Sequence, residues 1–200
     1  MKEQVRLKNY TGQLLIALPN TAHNEYSHGV MLVTSHWSRG YSSCMINRRL
    51  APYQTVGNLV QTMGIHYPSR DPIFYGGPDD SQKVSFVHTL DWQCSSTKIL
   101  TEELGMTHEY SILAALAAGG GPMNWRCVAG HRLVVNDPDL PESIHGEISG
   151  EPPWTPGHRW MTLPATPERV FTSFDDEQWL TSIDESAKLK VSSWFNHAQN

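Results

Sequence analysis

The sequence predicts a single α+β domain built on a mixed or antiparallel sheet. Three observations carry that expectation. Short apolar runs of strand length recur between turn signals, two of them joined as a hairpin. Helical patterns interrupt these runs without the regular alternation of a doubly wound sheet. The chain has 200 residues, 39% of them hydrophobic, enough for one core, since a chain of this size buries roughly 70% of its unfolded surface.

Leu14 to Leu18 is a continuous apolar run closed by Pro19-Asn20, which reads as a buried strand. Gly29 to Ser35 is a second strand, Ser38-Arg39-Gly40 a turn, and Ser42 to Asn47 a third strand, so the pair forms a hairpin. Pro52 opens a helical pattern with Tyr53, Val56, Leu59, Val60 and Met63 at helical spacing, and Gly64 ends it. Pro72-Ile73-Phe74-Tyr75 is a short strand. Val84, Phe86 and His88 alternate with Ser85, Val87 and Thr89, predicting another. Thr107 to Ala118 reads as a helix with Thr107 as N-cap and Gly119-Gly120-Gly121-Pro122 as its stop. Arg126 to Gly130 is a short buried strand. Residues 136–158, crowded with proline and glycine, predict a long surface loop. Order returns at Trp160-Met161. Asp175 caps a final helix in which Gln178 completes a capping-box spacing and Trp179, Ile183 and Ala187 line the inner face. Residues 1–11 read as an N-terminal extension, 12–190 as the domain and 191–200 as a frayed tail.

Composition narrows the function. Lys plus Arg total 15 against 20 Asp plus Glu, a net charge of −5, which argues against a generally basic nucleic-acid surface. Three scattered cysteines are no disulfide framework. No apolar run reaches the ~20 residues of a membrane span, and the first six residues lack a secretory signal's apolar stretch. A cytoplasmic protein without membrane contact is expected.

Each cluster of chemically capable residues has a bland reading beside a functional one. Gly76-Gly77-Pro78 follows a strand and serves either as a tight turn or as the rim of a ligand site. It is neither a P-loop nor a dinucleotide fingerprint, so no cofactor is expected. His36 and His88 sit near strand ends, as acid–base groups or as histidines bonded to backbone carbonyls. Cys127 and His131, with His145 and His158 downstream, offer thiolate and imidazole but no true zinc spacing, so no metal is expected. Cys44 reads as a buried small hydrophobe, and Cys94 as the more reactive thiol. Trp37, Arg39, Arg48 and Arg49 bracket the hairpin, as a small phosphate or single-strand nucleic-acid patch or as a solvated tip.

In order along the chain, Gly12-Gln13-Leu14-Leu15-Ile16-Ala17-Leu18-Pro19, Gly29 to His36, Cys44-Met45-Ile46-Asn47-Arg48, Pro72 to Pro78, Phe86-Val87-His88 and Trp160 to Ala165 resemble segments of the bacterial YqgE/AlgH family (UPF0301, DUF179). Phe171 and Trp179 resemble its C-terminal positions. The likeness spans roughly residues 12–187. It departs at Ala129 to Leu133 and in the lengthened stretch before Trp160. The resemblance implies a small β-barrel-like sheet flanked by helices. It implies a regulatory or binding role linked to transcription, with no catalytic residues to carry over. It points to His36, Asn47, Gly76, Gly77, Pro78 and His88 as a ligand site at one concavity. Three rival functions follow: binding of a small ligand or protein partner, an enzyme using His36 or His88 as acid/base with Asn47 as a polar orienter, and a nucleic-acid binder.

Overall fold

The computed structural model describes residues 9–19, 25–135, 160–173 and 175–197, with side chains to residue 188. The expected loop 136–158, with His145 and His158, lies outside the described residues, as does most of the expected extension 1–11.

The strands are β1 (Gln13–Ala17), β2 (Val30–Trp37), β3 (Gly40–Met45), β4 (Ile73–Tyr75), β5 (Asp79–Thr89), β6 (Lys98–Ile99), β7 (Leu104–Thr107), β8 (Trp125–Val135) and β9 (Trp160–Pro164). The helices are α1 (Val56–Thr62), α2 (Ser111–Ala117), α3 (Pro167–Phe171) and α4 (Asp175–His197). The strands form one sheet in the order β6-β7-β5-β8-β3-β2-β1-β9, and β4 adds to β8. Every pairing is antiparallel except β4 with β8. The sheet curls into a half-barrel. Its far ends approach where the Lys98 ammonium on β6 meets the Ser35 hydroxyl on β2, and where Gly12 lies against the Leu100 carbonyl. This is the α+β single-domain class that the sequence predicts.

Two apolar clusters lie on the sheet's faces. The larger joins β1, β2, β3 and β9 to Val87, Met106, Val128 and Trp179. The smaller gathers Val84, Phe86, Cys127 and Ala129 under α1 and α2, with Val56, Val60, Ile112 and Leu113. Alternation along β5 assigns Val84, Phe86 and His88 to the second face and Ser85 and Val87 to the first.

Local chemistry moves several boundaries. Helix α1 starts at Thr55 rather than Pro52, because Thr55 and Asn58 form a reciprocal capping box. Thr107 is not an N-cap. Its backbone pairs with Phe86 in the β5–β7 ladder, and α2 begins only at Ser111. Gln178 does not complete a capping box at α4. The Asp175 N–H donates to the Asn47 carbonyl instead, while Gln178 turns inward, donates to the Arg169 carbonyl at 2.7 Å and accepts from Arg126 at 3.2 Å. On the same helix Ser182 and Ser186 are buried and Ala187 is exposed. No helix among the described residues is long and apolar enough to cross a membrane.

Candidate functional site

Two irregularities in the ladders shape a concavity inside the curl. On β2 the pairs Val33–Ser43 and Ser35–Ser42 leave Thr34 as an extra residue. Between the Asp79–His131 and Val84–Ala129 pairs, β5 advances five residues while β8 advances two. Bulges of this kind re-aim side chains. Here they bring Thr34, Ser35, Asp80 and Lys83 to a cavity of about 370 Å³, completed by Ser42, Ser85, Lys98, Met106, His108, Gly130 and His131.

The backbone beneath the second bulge tolerates no side chain. Gly130 has φ +75°, and a Cβ there would lie 2.4 Å from the Gly77 carbonyl oxygen. A Cβ on Gly76 would lie 2.1 Å from the Gly130 oxygen. Gly76 and Gly77 therefore let the chain entering β5 cross β8 at contact distance, and Met45 N–H bonds the Gly76 carbonyl at 2.8 Å. Beyond them Asp80 holds a left-handed φ of 50°.

Thr34, Ser85 and Met106 form a buried floor, at 5%, 6% and 6% exposure. Thr34 donates to the Ser42 carbonyl at 3.2 Å. Ser85 Oγ lies 2.8 Å from His108 Nδ1. Lys83, Lys98 and His108 stand exposed at the rim. Lys83 pairs with Asp80 at 2.8 Å, which holds the Asp80 carboxyl below its ordinary range.

None of the six residues expected at one concavity lines this cavity. Asn47 is 3% exposed and fully occupied. Its Oδ1 accepts from Val30 N–H at 2.8 Å, and its Nδ2 donates to the carbonyls of His28 at 2.8 Å and Asp175 at 3.0 Å. His28 and Asp175 both have positive φ, 56° and 57°, so one amide clamps two strained residues. His36 neighbours Ser35, which faces the cavity, and its ring meets Tyr10 edge-on at 5.4 Å. His88 lies on the opposite face from Ser85, fully buried, with Nδ1 donating to the Thr89 carbonyl at 2.9 Å and the ring against Trp92. Burial lowers its pKa, and its Nε2 has no hydrogen-bond partner.

The residues expected as a nucleic-acid patch divide between the two ends of β3. Trp37 and Arg39 sit at the hairpin tip. Arg48 donates to the carbonyls of Glu25 and Ser27, and Arg49 pairs with Asp175 at 3.7 Å. Cys127 is buried in the cluster under α1 and α2 while His131 lines the half-barrel cavity, so the two serve different faces of the sheet. Burial pushes the Cys127 and Cys44 thiols up to about 12. Cys94 differs. Burial raises its pKa, but hydrogen bonds from the Ser96, Thr107 and Thr97 hydroxyls outweigh that and bring the thiol down to about 7.

Sequence reasoning missed Lys83, Ser85, Lys98 and His108 as site residues. The available signal was the paired hydroxyls Thr34-Ser35 and Ser42-Ser43 inside otherwise apolar strands.

Comparison with known proteins adds a lineage to this geometry. A family model described as AlgH-like (DUF179) matches residues 14–132. A UPF0301 protein of Sphingopyxis alaskensis is 25% identical over 88% of this chain and 89% of its own. One of Methylococcus capsulatus is 28% identical over 84% and 87%. The solution structure of the AlgH protein from Pseudomonas aeruginosa shares the fold, with TM-score 0.68, 22% identity and 92% of each chain covered. A Corynebacterium diphtheriae crystal structure is also similar, with TM-score 0.62, 19% identity and coverage of 86% of this chain and 84% of that one.

Proposed function

The chain belongs to the AlgH-like DUF179 family, and on that premise we propose that it is a cytoplasmic regulatory protein that acts by binding a small ligand in the half-barrel cavity. The observation that carries this reading is the cavity itself. Six strands contribute side chains to it, and two ladder irregularities converge on it. Its volume of about 370 Å³ falls in the range of small-molecule sites, roughly 300–1,000 Å³. A link to transcription would run through a protein partner rather than through DNA, because Arg48 and Arg49 are engaged by carbonyls and Asp175. The test is an amide NMR spectrum recorded with a small-molecule cell extract. Shifts confined to residues around the cavity support the reading. An unmoved spectrum, or shifts centred elsewhere, overturn it.

A second reading is favoured by one contact. Ser85 and His108, at 2.8 Å, have the geometry of a nucleophile and its base. Among the described residues no carboxylate hydrogen-bonds His108. An ester probe whose turnover disappears in Ser85→Ala supports acyl transfer; equal background rates in both proteins remove it.

A further inference from the structure

We infer that the cavity is an oxyanion site, taking a small molecule whose phosphate or carboxylate group seats between Lys98 and the hydroxyls of Ser35, Ser42 and Ser85. The inference rests on the binding reading above and gives its ligand a chemical class.

Charge is the first argument. The chain carries −5 overall, yet the cavity lining holds the two ammonium groups of Lys83 and Lys98 against the single carboxylate of Asp80. That carboxylate is already paired with Lys83. Lys98 is not so matched. Its ammonium rests on the neutral Ser35 hydroxyl, and among the described residues no carboxylate pairs with it. A cation held in a concavity by a neutral donor–acceptor is free to take an anion, and its bonds to an ionised group are roughly twice as strong as neutral ones.

Donor geometry is the second argument. Ser35 and Ser42 stand directly opposite each other across the hairpin, so their hydroxyls reach one point from two strands. Ser85 approaches from β5; with its oxygen accepting from His108 Nδ1–H, its one hydroxyl hydrogen is left for the anion. Hydroxyls on three strands and an ammonium on a fourth surround an oxyanion with donors, the arrangement its several lone pairs require. The Met106 side chain adds an apolar wall for the ligand's carbon skeleton.

The third argument is strain. The left-handed Asp80 and the Gly77–Gly130 crossing both sit at this edge. Such outliers are held by surrounding structure and gather at binding sites. They are what turns the β5 bulge, with Lys83, toward the cavity.

The experiment is an amide NMR titration of the full chain at constant ionic strength. The probes are inorganic phosphate, glycerol 3-phosphate, succinate and, as neutral control, glycerol. Saturable shifts at Ser35, Ser42, Ser85, Lys98 and Gly130 are expected with the anions and not with glycerol. Lys98→Gln, an exposed site whose fold is checked by spectral dispersion, weakens binding at least tenfold; Lys188→Gln on α4 leaves it unchanged. Preference for the phosphate probes over succinate, or the reverse, identifies the head group, and either supports the oxyanion class. Binding that is equal in Lys98→Gln overturns it. Cavity shifts with glycerol but none with anions overturn the oxyanion assignment while leaving the binding reading standing. No cavity shift with any probe, where the cell extract still moves the cavity amides, overturns the assignment alone.

Discussion

Replacing Asn47 isolates the contribution of one buried amide. In Asn47→Ala, Val30 N–H and the carbonyls of His28 and Asp175 lose their partners. An orphaned buried polar group costs about 1–3 kcal/mol. The two carbonyls are part-buried, so the lower values apply to them, giving about 3–6 kcal/mol in total. His28 and Asp175 are each strained by about 1–2 kcal/mol at positive φ, and partial relaxation returns about 1–2 kcal/mol between them. The net expectation is a loss of about 2–4 kcal/mol. Asn47→Asp has the same shape and keeps the Val30 contact, but it turns a carboxylate oxygen toward two carbonyl oxygens. Burial and those dipoles raise the new carboxyl above its ordinary ~3.9. The folded variant then binds more protons than the unfolded one between the two pKa values, so its stability falls as pH rises through that window. Urea unfolding followed by tryptophan fluorescence, with each variant compared with the parent protein at pH 4.5 and 7.5, measures both effects. At pH 7.5 Asn47→Asp is at least as damaging as Asn47→Ala; at pH 4.5 its protonated hydroxyl re-donates to one carbonyl and the gap closes or reverses. A loss under about 1 kcal/mol in Asn47→Ala refutes the clamp, and an Asp penalty that does not shrink with acid refutes the electrostatic account.

Other expectations follow from the same geometry. Burial lowers the His88 pKa below the ordinary 6.5, so the stability it contributes is present above about pH 6.5 and lost as pH falls. His88→Gln flattens that part of the pH–stability curve, measured by thermal unfolding between pH 5 and 8. Alkylation by iodoacetamide, read by mass spectrometry, labels Cys94 with half-maximal rate near pH 7 and spares Cys44 and Cys127 until the protein unfolds; Thr107→Val moves the Cys94 midpoint upward. Gly64→Ala places a methyl in open space at φ +70° and costs about 1 kcal/mol. Gly130→Ala adds a backbone clash at 2.4 Å to the same strain and costs at least about 2–3 kcal/mol by urea unfolding.

The fold was largely legible because apolar runs announce strands whatever they pair with. The misplaced boundaries share one cause: tertiary partners outbid local signals. Thr107 has an N-cap's side chain, but the β5 ladder takes its backbone. Gln178 has a capping box's spacing, but the buried Arg126 takes its amide oxygen. That guanidinium, 5% exposed, is satisfied by Gln178 and the Ile46 and Ser173 carbonyls, and packs over the Phe74 ring at 4.4 Å. Strand β5 was expected only from Val84 because residues 79–83 are polar and break the ladder, with Asp80 and Lys83 reaching the cavity.

The site was less legible. Its lining comes from six strands and their ends, one to three residues each, and most of them read as ordinary polar strand positions. They become a site only when the sheet curls. The motif residues were visible because each has a demanding individual role. Asn47 clamps strained turns, and Gly76 and Gly77 admit a crossing backbone. The glycine crossing supports the cavity's edge from behind, while Asn47 and His88 serve other parts of the fold, which is why the motif did not mark the lining.

The last elements of the chain close onto the first. Strand β9 pairs with β1 from Ala17–Trp160 to Gln13–Pro164, and the Trp179 indole donates to the Ala17 carbonyl at 2.7 Å. During synthesis the first hairpin therefore emerges with an open edge and an unfilled pocket. It must wait more than a hundred residues for both. Contacts so distant in sequence make folding slow, and an unpaired β1 edge is a template for another nascent chain. The interval before that closure is when the chain most needs a chaperone.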